Sequence, residues 1–181
     1  MTRAVFVDRD GILNEAVVKE GRPHPPGSAA DLRFLPGVRE RLVELRRLEM
    51  LVVCVTNQPD VARHTVTRDV VDQINARVRV EMPLDDLLVC YHDDADQCNC
   101  RKPRPGLLLE AAARLGIDLE RSYMIGDRWK DVACGAAAGC ITIFVDYGYS
   151  ETYTGPSPAH VSATATEAFD YVLSKVRDEN Y

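Results

Sequence analysis

The sequence contains no apolar run long enough to cross a bilayer and no excess of positive charge. Within its 181 residues, no stretch approaches the roughly 20 consecutive apolar residues of a transmembrane helix. Acidic residues outnumber basic ones, 28 to 22, and the formal net charge of -6 disfavours a protein that binds nucleic-acid phosphates or anionic lipid. The first residues also lack the long apolar region of a signal peptide. We therefore expect a cytoplasmic protein that binds neither membranes nor nucleic acid.

Internal repeats and low-complexity tracts are absent as well. Hydrophobic residues at 46% and charged residues at 28% are ordinary globular values, which exclude the disordered and fibrous classes. A chain of 181 residues suits one domain and leaves little room for a second domain with its own core. We therefore predict one domain over residues 1–181, and a monomer.

Short apolar runs alternate with longer segments of helical periodicity. This alternation is typical of an α/β domain with a mostly parallel central sheet. The predicted strands are 4–7, 51–55, 87–89, 122–125 and 141–145. The predicted helices cover 38–48, a segment after Thr67, 106–115, 131–138 and a segment that begins at a capping box of Thr164 and Glu167. Residues 15–36 are predicted to form a long loop or hairpin insert, and residues 150–162 a loop.

Three of the predicted strands are followed by carboxylate or hydroxyl side chains. Asp8 and Asp10 follow the first strand, Thr56 the second, and Asp127 and Asp131 the fourth. Each residue alone could be a helix cap or a turn residue, but ligands of open α/β sheets bind at the carboxyl ends of the strands. A cluster of carboxylates repels itself unless a hard divalent cation binds to it. The pattern therefore predicts a Mg²⁺ site at this edge of the sheet.

Lys102 lies in a proline-containing basic segment before the third predicted helix. Alone it would be interpreted as part of a basic surface turn. Beside the acidic strand ends it supplies the positive charge that phosphate chemistry requires. An Asp nucleophile, a second Asp, a Thr hydroxyl, a Lys and a further Asp are the groups needed for phosphoryl transfer through an aspartyl-phosphate.

The loop at residues 90–100 contains three cysteines and one histidine within eleven residues: Cys90, His92, Cys98 and Cys100. Buried free cysteines near a surface histidine are the simpler interpretation, but four such side chains in one polar loop favour zinc. A closed Cys₃His set leaves no position for water, so we expect this zinc to shape the loop that leads to Lys102. The remaining cysteines are predicted to be small core residues: Cys54, Cys134 and Cys140.

In their order along the chain, these motifs resemble the haloacid dehalogenase (HAD) superfamily of phosphatases. The matching segments are Asp8-x-Asp10-Gly11, Thr56-Asn57-Gln58, Lys102-Pro103-x-Pro105-Gly106 and Gly126-Asp127-x-x-x-Asp131. Residues 6–14, Val55-Thr56-Asn57-Gln58 and the Cys/His loop running into Arg101 resemble the branch that contains D-glycero-D-manno-heptose 1,7-bisphosphate phosphatase and histidinol-phosphate phosphatase. The resemblance covers about residues 4–145. It implies a Rossmann-like three-layer sandwich, no large cap domain, and a zinc loop.

The resemblance also implies catalytic roles. Asp8 would attack phosphorus and bind Mg²⁺ together with the backbone carbonyl of Asp10 and the side chain of Asp127. Asp10 would protonate the leaving oxygen and then activate the water that cleaves the aspartyl-phosphate. Thr56 and Lys102 would hold the phosphoryl oxygens.

Four further residues have expected roles around this centre. Asp131 would orient Lys102 or a metal-bound water. Arg101, Arg128 and Asn57 are the candidates for binding the rest of the substrate. Because the chain has no room for a large cap beyond the insert and the zinc loop, the expected substrate is a small sugar phosphate or amino-alcohol phosphate.

Two substrates of this branch stay open. The segment 101–106 favours a heptose 1,7-bisphosphate, whereas the short Cys-x-His-x₅-Cys-x-Cys spacing resembles the histidinol-phosphate members. Pro59-Asp60 and Arg63-His64 depart from the heptose pattern; His64, like His24, is predicted to be a surface histidine. A non-catalytic, zinc-stabilised phosphate-binding module is the alternative of another class. It would lack a catalytic residue, and none of the four main candidates is missing: Asp8, Asp10, Lys102 and Asp127.

Overall fold

The computed structural model describes residues 2–179, which form eight strands and five α-helices. The strands are β1 (Ala4–Val7), β2 (Val17–Lys19), β3 (Arg22–His24), β4 (Leu51–Asn57), β5 (Asp86–Cys90), β6 (Tyr123–Gly126), β7 (Ile141–Val145) and β8 (His160–Ser162). The helices are α1 (Val38–Arg47), α2 (Arg68–Glu81), α3 (Gly106–Leu115), α4 (Trp129–Ala138) and α5 (Ala165–Glu179). None of these helices combines the length and the apolar character that crossing a membrane requires.

Six strands form one sheet in the order β5-β4-β1-β6-β7-β8, and every neighbouring pair is parallel. Alternate residues of the strands enter two separate cores. Val5 and Val7 belong to the core that includes buried residues of α1, α2 and α5. Ala4 and Phe6 belong to the core that includes residues of α3 and α4. The predicted Rossmann-like three-layer α/β fold is thus confirmed.

Local sequence signals explain several helix ends. The Thr67 hydroxyl accepts a hydrogen bond from the backbone of Val70 at the start of α2. At the predicted capping box of α5, the Thr164 hydroxyl accepts from the Glu167 backbone, and the Glu167 carboxylate accepts from the backbone of Ala163. Such caps satisfy amide groups that a helix cannot pair internally, so they fix where it begins.

The loop prediction for residues 150–162 is wrong at its end. His160–Ser162 forms β8, which pairs in parallel with β7 at the edge of the sheet. The strand has three residues, and Val161 is exposed, so the segment carries no alternating apolar pattern. Tertiary pairing with β7, rather than local propensity, makes it a strand.

The insert at residues 15–36 contains the antiparallel hairpin β2–β3, as one of the two predicted alternatives had it. Its turn is tied to the segment after β7, because the backbone of Ser150 donates to the carbonyl of Gly21 at 2.8 Å. Residues 22–25 lie at the carboxyl end of the main sheet. The hairpin therefore forms one wall of the cavity described next.

Candidate active site

Three neighbouring strands bring the predicted site residues together. In the ladder Val7 pairs with Cys54 on one side and with Ile125 on the other, so β1, β4 and β6 end at nearly the same level. Asp8 and Asp127 line a cavity of about 300 Å³ at this edge. Further residues of the predicted site also line it: Asp10, Asn57, Arg101, Lys102, Arg128 and Asp131.

Lys102 connects two of the carboxylates. Its Nζ donates to Asp8 Oδ1 at 2.8 Å and to the carbonyl of Val55 at 2.9 Å, and lies 2.7 Å from Asp131 Oδ1. Burial alone would lower the pKa of Lys102, but the carboxylates of Asp131 and Asp8 raise it above its usual value. Lys102 is therefore held as a buried cation. Asp131 contacts its ammonium group, as the expected role of Asp131 in orienting Lys102 requires.

Asp8, Asp127 and Asp131 each bring one carboxylate oxygen within 4.8 Å of the others. Asp127 is 2% exposed, and among residues 2–179 no group makes a hydrogen bond of regular geometry to its oxygens, although the Tyr149 hydroxyl interacts with its carboxylate. Burial and the Asp8 carboxylate raise the pKa of Asp127 well above its usual value, and burial raises the pKa of Asp8 to about 6. A cluster of carboxylate oxygens, with those of Asp127 in no regular hydrogen bond, is a ligand set that fits Mg²⁺.

Gly11 makes room for this cluster. Its φ of +90° lies in the left-handed region, and a Cβ atom built there would come within 2.1 Å of Asp127 Oδ2. The glycine of the Asp-x-Asp-Gly motif thus lets the loop after β1 pass directly beside Asp127.

Removing the charge of Asp127 should stabilise the magnesium-free protein. The pKa of Asp127 is raised in the folded protein above its usual value of 3.8. Its contribution to stability is therefore fully present below pH 3.8 and is lost as the pH rises towards the raised pKa. Asp127→Asn removes this loss, so in magnesium-free buffer the variant should melt at a higher temperature than the wild-type protein. Its free energy of unfolding should be larger by on the order of 1 kcal/mol. The excess should grow as the pH rises above 3.8, the usual pKa of the carboxyl group.

Thermal unfolding with and without Mg²⁺ measures this effect. Mg²⁺ should raise the melting temperature of the wild-type protein but not that of Asp127→Asn. Equal responses of the two proteins to Mg²⁺ would contradict a metal site at Asp127.

Asp10 is fixed by three neighbours to which the sequence assigned no role. Its carboxylate accepts from the guanidinium of Arg9 at 2.9 and 3.2 Å, from Asn14 at 2.9 Å and from Gln58 at 2.9 Å. Gln58 also donates to the hydroxyl of Thr56 at 2.9 Å, but Thr56 is buried and, unlike the other predicted catalytic residues, does not line the cavity. Arg9, Asn14 and Gln58 belong to the motif segments 6–14 and 55–58, but the sequence alone does not show that they contact Asp10.

Two of the three predicted substrate-binding residues are already engaged in ion pairs. Arg101 pairs with Asp94 at 2.7 Å, and Arg128 pairs with Glu151 at 2.6 Å. Both line the cavity, but Arg101 is 9% exposed and also donates to the carbonyl of His92 at 3.3 Å.

Asn57, the third, forms two hydrogen bonds of 3.1 Å with the backbone N–H and carbonyl of Lys102. It lies on the cavity wall, but its amide holds the loop that carries Lys102. The contact of Asn57 with substrate stays a prediction. The hydrogen bonds also give Asn57 a second candidate role, which is to position Lys102.

The predicted zinc ligands converge in the loop after β5. The Sγ atom of Cys100 lies 3.2 Å from that of Cys90, 3.4 Å from that of Cys98 and 3.3 Å from His92 Nδ1. A tetrahedral zinc ion with bonds of about 2.3 Å places its sulfur ligands about 3.8 Å apart, close to the 3.8 Å between Cys90 and Cys98. The four side chains therefore fit a zinc ion.

The other three cysteines, Cys54, Cys134 and Cys140, are buried in the two cores, as predicted. The two histidines without a role differ: His24 is exposed and lines the cavity, whereas His64 is exposed outside it.

Comparison with known proteins gives related sequences along nearly the whole chain. A family model described as HAD-hydrolase-like matches residues 99–178. The D-glycero-beta-D-manno-heptose-1,7-bisphosphate 7-phosphatase of Photorhabdus laumondii is 35% identical over 147 residues, which are 75% of each chain. The corresponding phosphatase of Haemophilus influenzae is 31% identical and aligns with 98% of this chain and 95% of its own.

Solved structures show the same fold. A putative HAD-like phosphatase from Mesorhizobium loti superposes with a TM-score of 0.77 at 26% identity, over 97% of this chain and 87% of its own. The D,D-heptose 1,7-bisphosphate phosphatase of B. bronchiseptica, crystallised with magnesium and phosphate, superposes with a TM-score of 0.77 at 24% identity. The superposition covers 96% of this chain and 99% of that one. Together with the related sequences, these likenesses establish that the chain belongs to the HAD-type phosphatases, in the branch that contains the heptose 1,7-bisphosphate 7-phosphatases.

Proposed function

We propose that this phosphatase hydrolyses a sugar bisphosphate through an aspartyl-phosphate on Asp8, with Mg²⁺ as cofactor and zinc as a structural ion. The observation that carries the proposal is the position of Asp8 on the cavity wall, hydrogen bonded to the buried ammonium of Lys102 and within 4.8 Å of the buried carboxylate of Asp127. A non-catalytic phosphate-binding module would have no use for such a cluster, because negative carboxylates oppose phosphate binding unless one of them reacts or a cation intervenes.

Asp8 is positioned for attack by its lysine. Lys102 holds Oδ1 of Asp8, which leaves Oδ2 as the oxygen that forms the new bond to phosphorus. Lys102 and the Thr56 hydroxyl would bind the phosphoryl oxygens during transfer. Asp8, Asp127 and the backbone carbonyl of Asp10 would hold Mg²⁺, which when bound offsets the negative charge of the phosphoryl group.

Asp10 handles the protons. When the Asp8 oxygen bonds to phosphorus, the bond from phosphorus to the substrate oxygen breaks, and a proton from Asp10 converts that oxygen to a hydroxyl. Asp10, now a carboxylate, takes a proton from the water that cleaves the aspartyl-phosphate. Free phosphate and Asp8 are the products of this second step.

The outer part of the cavity favours a substrate with a second anionic group. Arg22, on the hairpin, has no carboxylate within 4.0 Å anywhere in residues 2–179, and Lys130 lies 3.9 Å from its one carboxylate neighbour, Asp94. These two cations are less neutralised than Arg101 and Arg128. They suit the distal phosphate of a bisphosphate, and disfavour the ammonium group of histidinol phosphate, the alternative substrate.

The names of the related phosphatases point to one such compound, D-glycero-β-D-manno-heptose 1,7-bisphosphate, cleaved at its 7-phosphate. A phosphate-release screen over this bisphosphate, the heptose monophosphates, histidinol phosphate and common sugar phosphates tests the assignment. The bisphosphate should give the highest kcat/KM. A preference for histidinol phosphate would replace the substrate assignment and leave the aspartyl-phosphate mechanism in place.

Shortening Lys130 or Arg22 to Ala should weaken binding of the bisphosphate selectively. A hydrogen bond to a charged group contributes about 1.5–3 kcal/mol, so each change should raise KM for the bisphosphate about tenfold or more. KM for a monophosphate should change little, since it has no distal phosphate to lose. Lys175→Ala, which removes a lysine that lies over the ring of Tyr171 on α5, is the matched control. Equal effects on both substrates would contradict a distal phosphate site here.

A further inference from the structure

Arg9, between the two aspartates of the Asp-x-Asp motif, is a fully buried arginine. Its exposed fraction is 0%, and it does not line the catalytic cavity. Removing a guanidinium from water costs several kcal/mol unless its partners are well placed. The contacts of Arg9 are therefore informative about why an arginine occupies this position.

Those contacts converge on Asp10. Nε and one terminal nitrogen of Arg9 donate to the two different carboxylate oxygens of Asp10, at 3.2 and 2.9 Å. A paired contact of this kind fixes the plane of a carboxylate, because guanidinium and carboxylate are both flat and their atoms match. Asp10, in contrast to Arg9, reaches the cavity.

Asn75 on α2 holds the other side of the guanidinium. Its Oδ1 accepts from the second terminal nitrogen of Arg9 at 2.7 Å, and Asn75 is itself buried. The side-chain amide nitrogen of Asn75 has no partner among residues 2–179. The contact with Arg9 is thus the hydrogen bond that accounts for a buried asparagine on an otherwise apolar helix face.

We propose that Arg9 and Asn75 are positioning residues for catalysis: they hold Asp10 in the orientation from which it protonates the leaving oxygen. Neither residue touches substrate. The inference rests on the acid role of Asp10 in the proposed mechanism. It differs from a purely structural role, in which the same contacts would only attach the loop after β1 to α2.

The leaving group distinguishes the two roles. A sugar alkoxide needs a proton to depart, whereas p-nitrophenolate departs without one. Misplacing Asp10 should therefore slow the first turnover of a sugar phosphate far more than that of p-nitrophenyl phosphate. A loss of fold stability would slow both alike. First-turnover rates are required, because the later hydrolysis of the aspartyl-phosphate also uses Asp10.

Two variants test the proposal at different distances from Asp10. Arg9→Lys keeps the charge but loses the paired contact, and Asn75→Leu keeps the approximate side-chain volume but releases the guanidinium. Asp10→Asn is the reference for complete loss of the acid, and Ser122→Ala is the control for damage elsewhere. Ser122 is buried and accepts from the backbone of Ala4 on β1, at the end of that strand remote from the site.

Asp10→Asn should slow the sugar phosphate by about 10²–10⁴-fold, the usual contribution of a general acid. Arg9→Lys should slow it by about 10²-fold, and Asn75→Leu by less, with KM unchanged in both. The aryl phosphate should slow only a few-fold in each variant. Ser122→Ala should leave the ratio of the two rates at its wild-type value.

The outcomes of these measurements either support or overturn the proposal. Selective loss in Arg9→Lys and Asn75→Leu supports the proposal, and equal or absent loss on the two substrates overturns it. If Arg9→Lys does not fold, Asn75→Leu alone decides by the same ratio. If Asp10→Asn itself shows no selectivity, the acid role of Asp10 fails and the inference fails with it. Selectivity in Asp10→Asn alone leaves the mechanism standing and removes the roles of Arg9 and Asn75.

Discussion

Replacing Asp8 with Asn should abolish phosphate release and leave the fold intact. The amide nitrogen cannot attack phosphorus, and removal of a catalytic nucleophile typically costs about 10⁴-fold or more in kcat. The amide oxygen can still accept the hydrogen bond that Lys102 donates to Asp8 Oδ1, so the buried lysine keeps a partner. Loss of one charge also reduces repulsion from Asp127 and Asp131. The folded state should therefore survive the substitution.

Phosphate release, circular dichroism and detection of the aspartyl-phosphate measure this prediction together. The wild-type protein should form an acid-stable, hydroxylamine-sensitive phosphoryl adduct on Asp8, and Asp8→Asn should form none. Asp146→Asn is the matched control, because Asp146 directly follows β7, one strand beyond β6 in the sheet, and pairs with the backbone of Gly148. Full activity of a folded Asp8→Asn protein would disprove the nucleophile assignment.

The position of the site could be predicted from the sequence because it follows from sheet geometry. Parallel strands expose their carboxyl ends at one edge, so Asp8 and Asp127 meet once their strands are recognised. The zinc loop could be predicted for a similar reason. Its four candidate ligands lie within eleven residues, and a short loop limits how far apart they can be.

The supporting contacts could not be predicted, because they join segments that are remote in the sequence. Arg9 and Asn75 are 66 positions apart, and Asn57 and Lys102 are 45 apart. A buried arginine looks like a surface residue in sequence, since arginines are mostly exposed. β8 was missed for a related reason, because its three residues form a strand through pairing with β7, and His160 pairs there with Ile143 rather than with a neighbour in sequence.

The second prediction with a large effect concerns zinc, and the substitution is Cys100→Ser. Cys100 lies close to the other three candidate ligand atoms and is followed directly by Arg101 and Lys102. Replacing a thiolate by a hydroxyl leaves three ligands, so the variant should lose the roughly one zinc ion per chain expected of the wild-type protein. The melting temperature should fall, because free energy of zinc binding is also free energy of folding.

Elemental analysis, thermal unfolding and kcat measure the three effects. Cys140→Ser is the matched control: Cys140 is buried in the core that contains α3 and α4, outside the loop, and its replacement should leave the zinc content unchanged. A zinc-free Cys100→Ser protein with wild-type kcat would contradict the idea that the zinc loop positions the catalytic lysine.

The size of the kcat effect follows from how Lys102 is held. On one side, zinc bound to the loop at residues 90–100 would fix the residues before Lys102; on the other, the amide of Asn57 binds both the backbone N–H and the carbonyl of Lys102 at 3.1 Å. Losing zinc removes the first restraint and keeps the second. We therefore expect kcat to fall by at least about tenfold, as a displaced catalytic group does, but far less than in Asp8→Asn. Combining Cys100→Ser with Asn57→Ala removes both restraints, and the loss in kcat should then exceed the product of the two single effects.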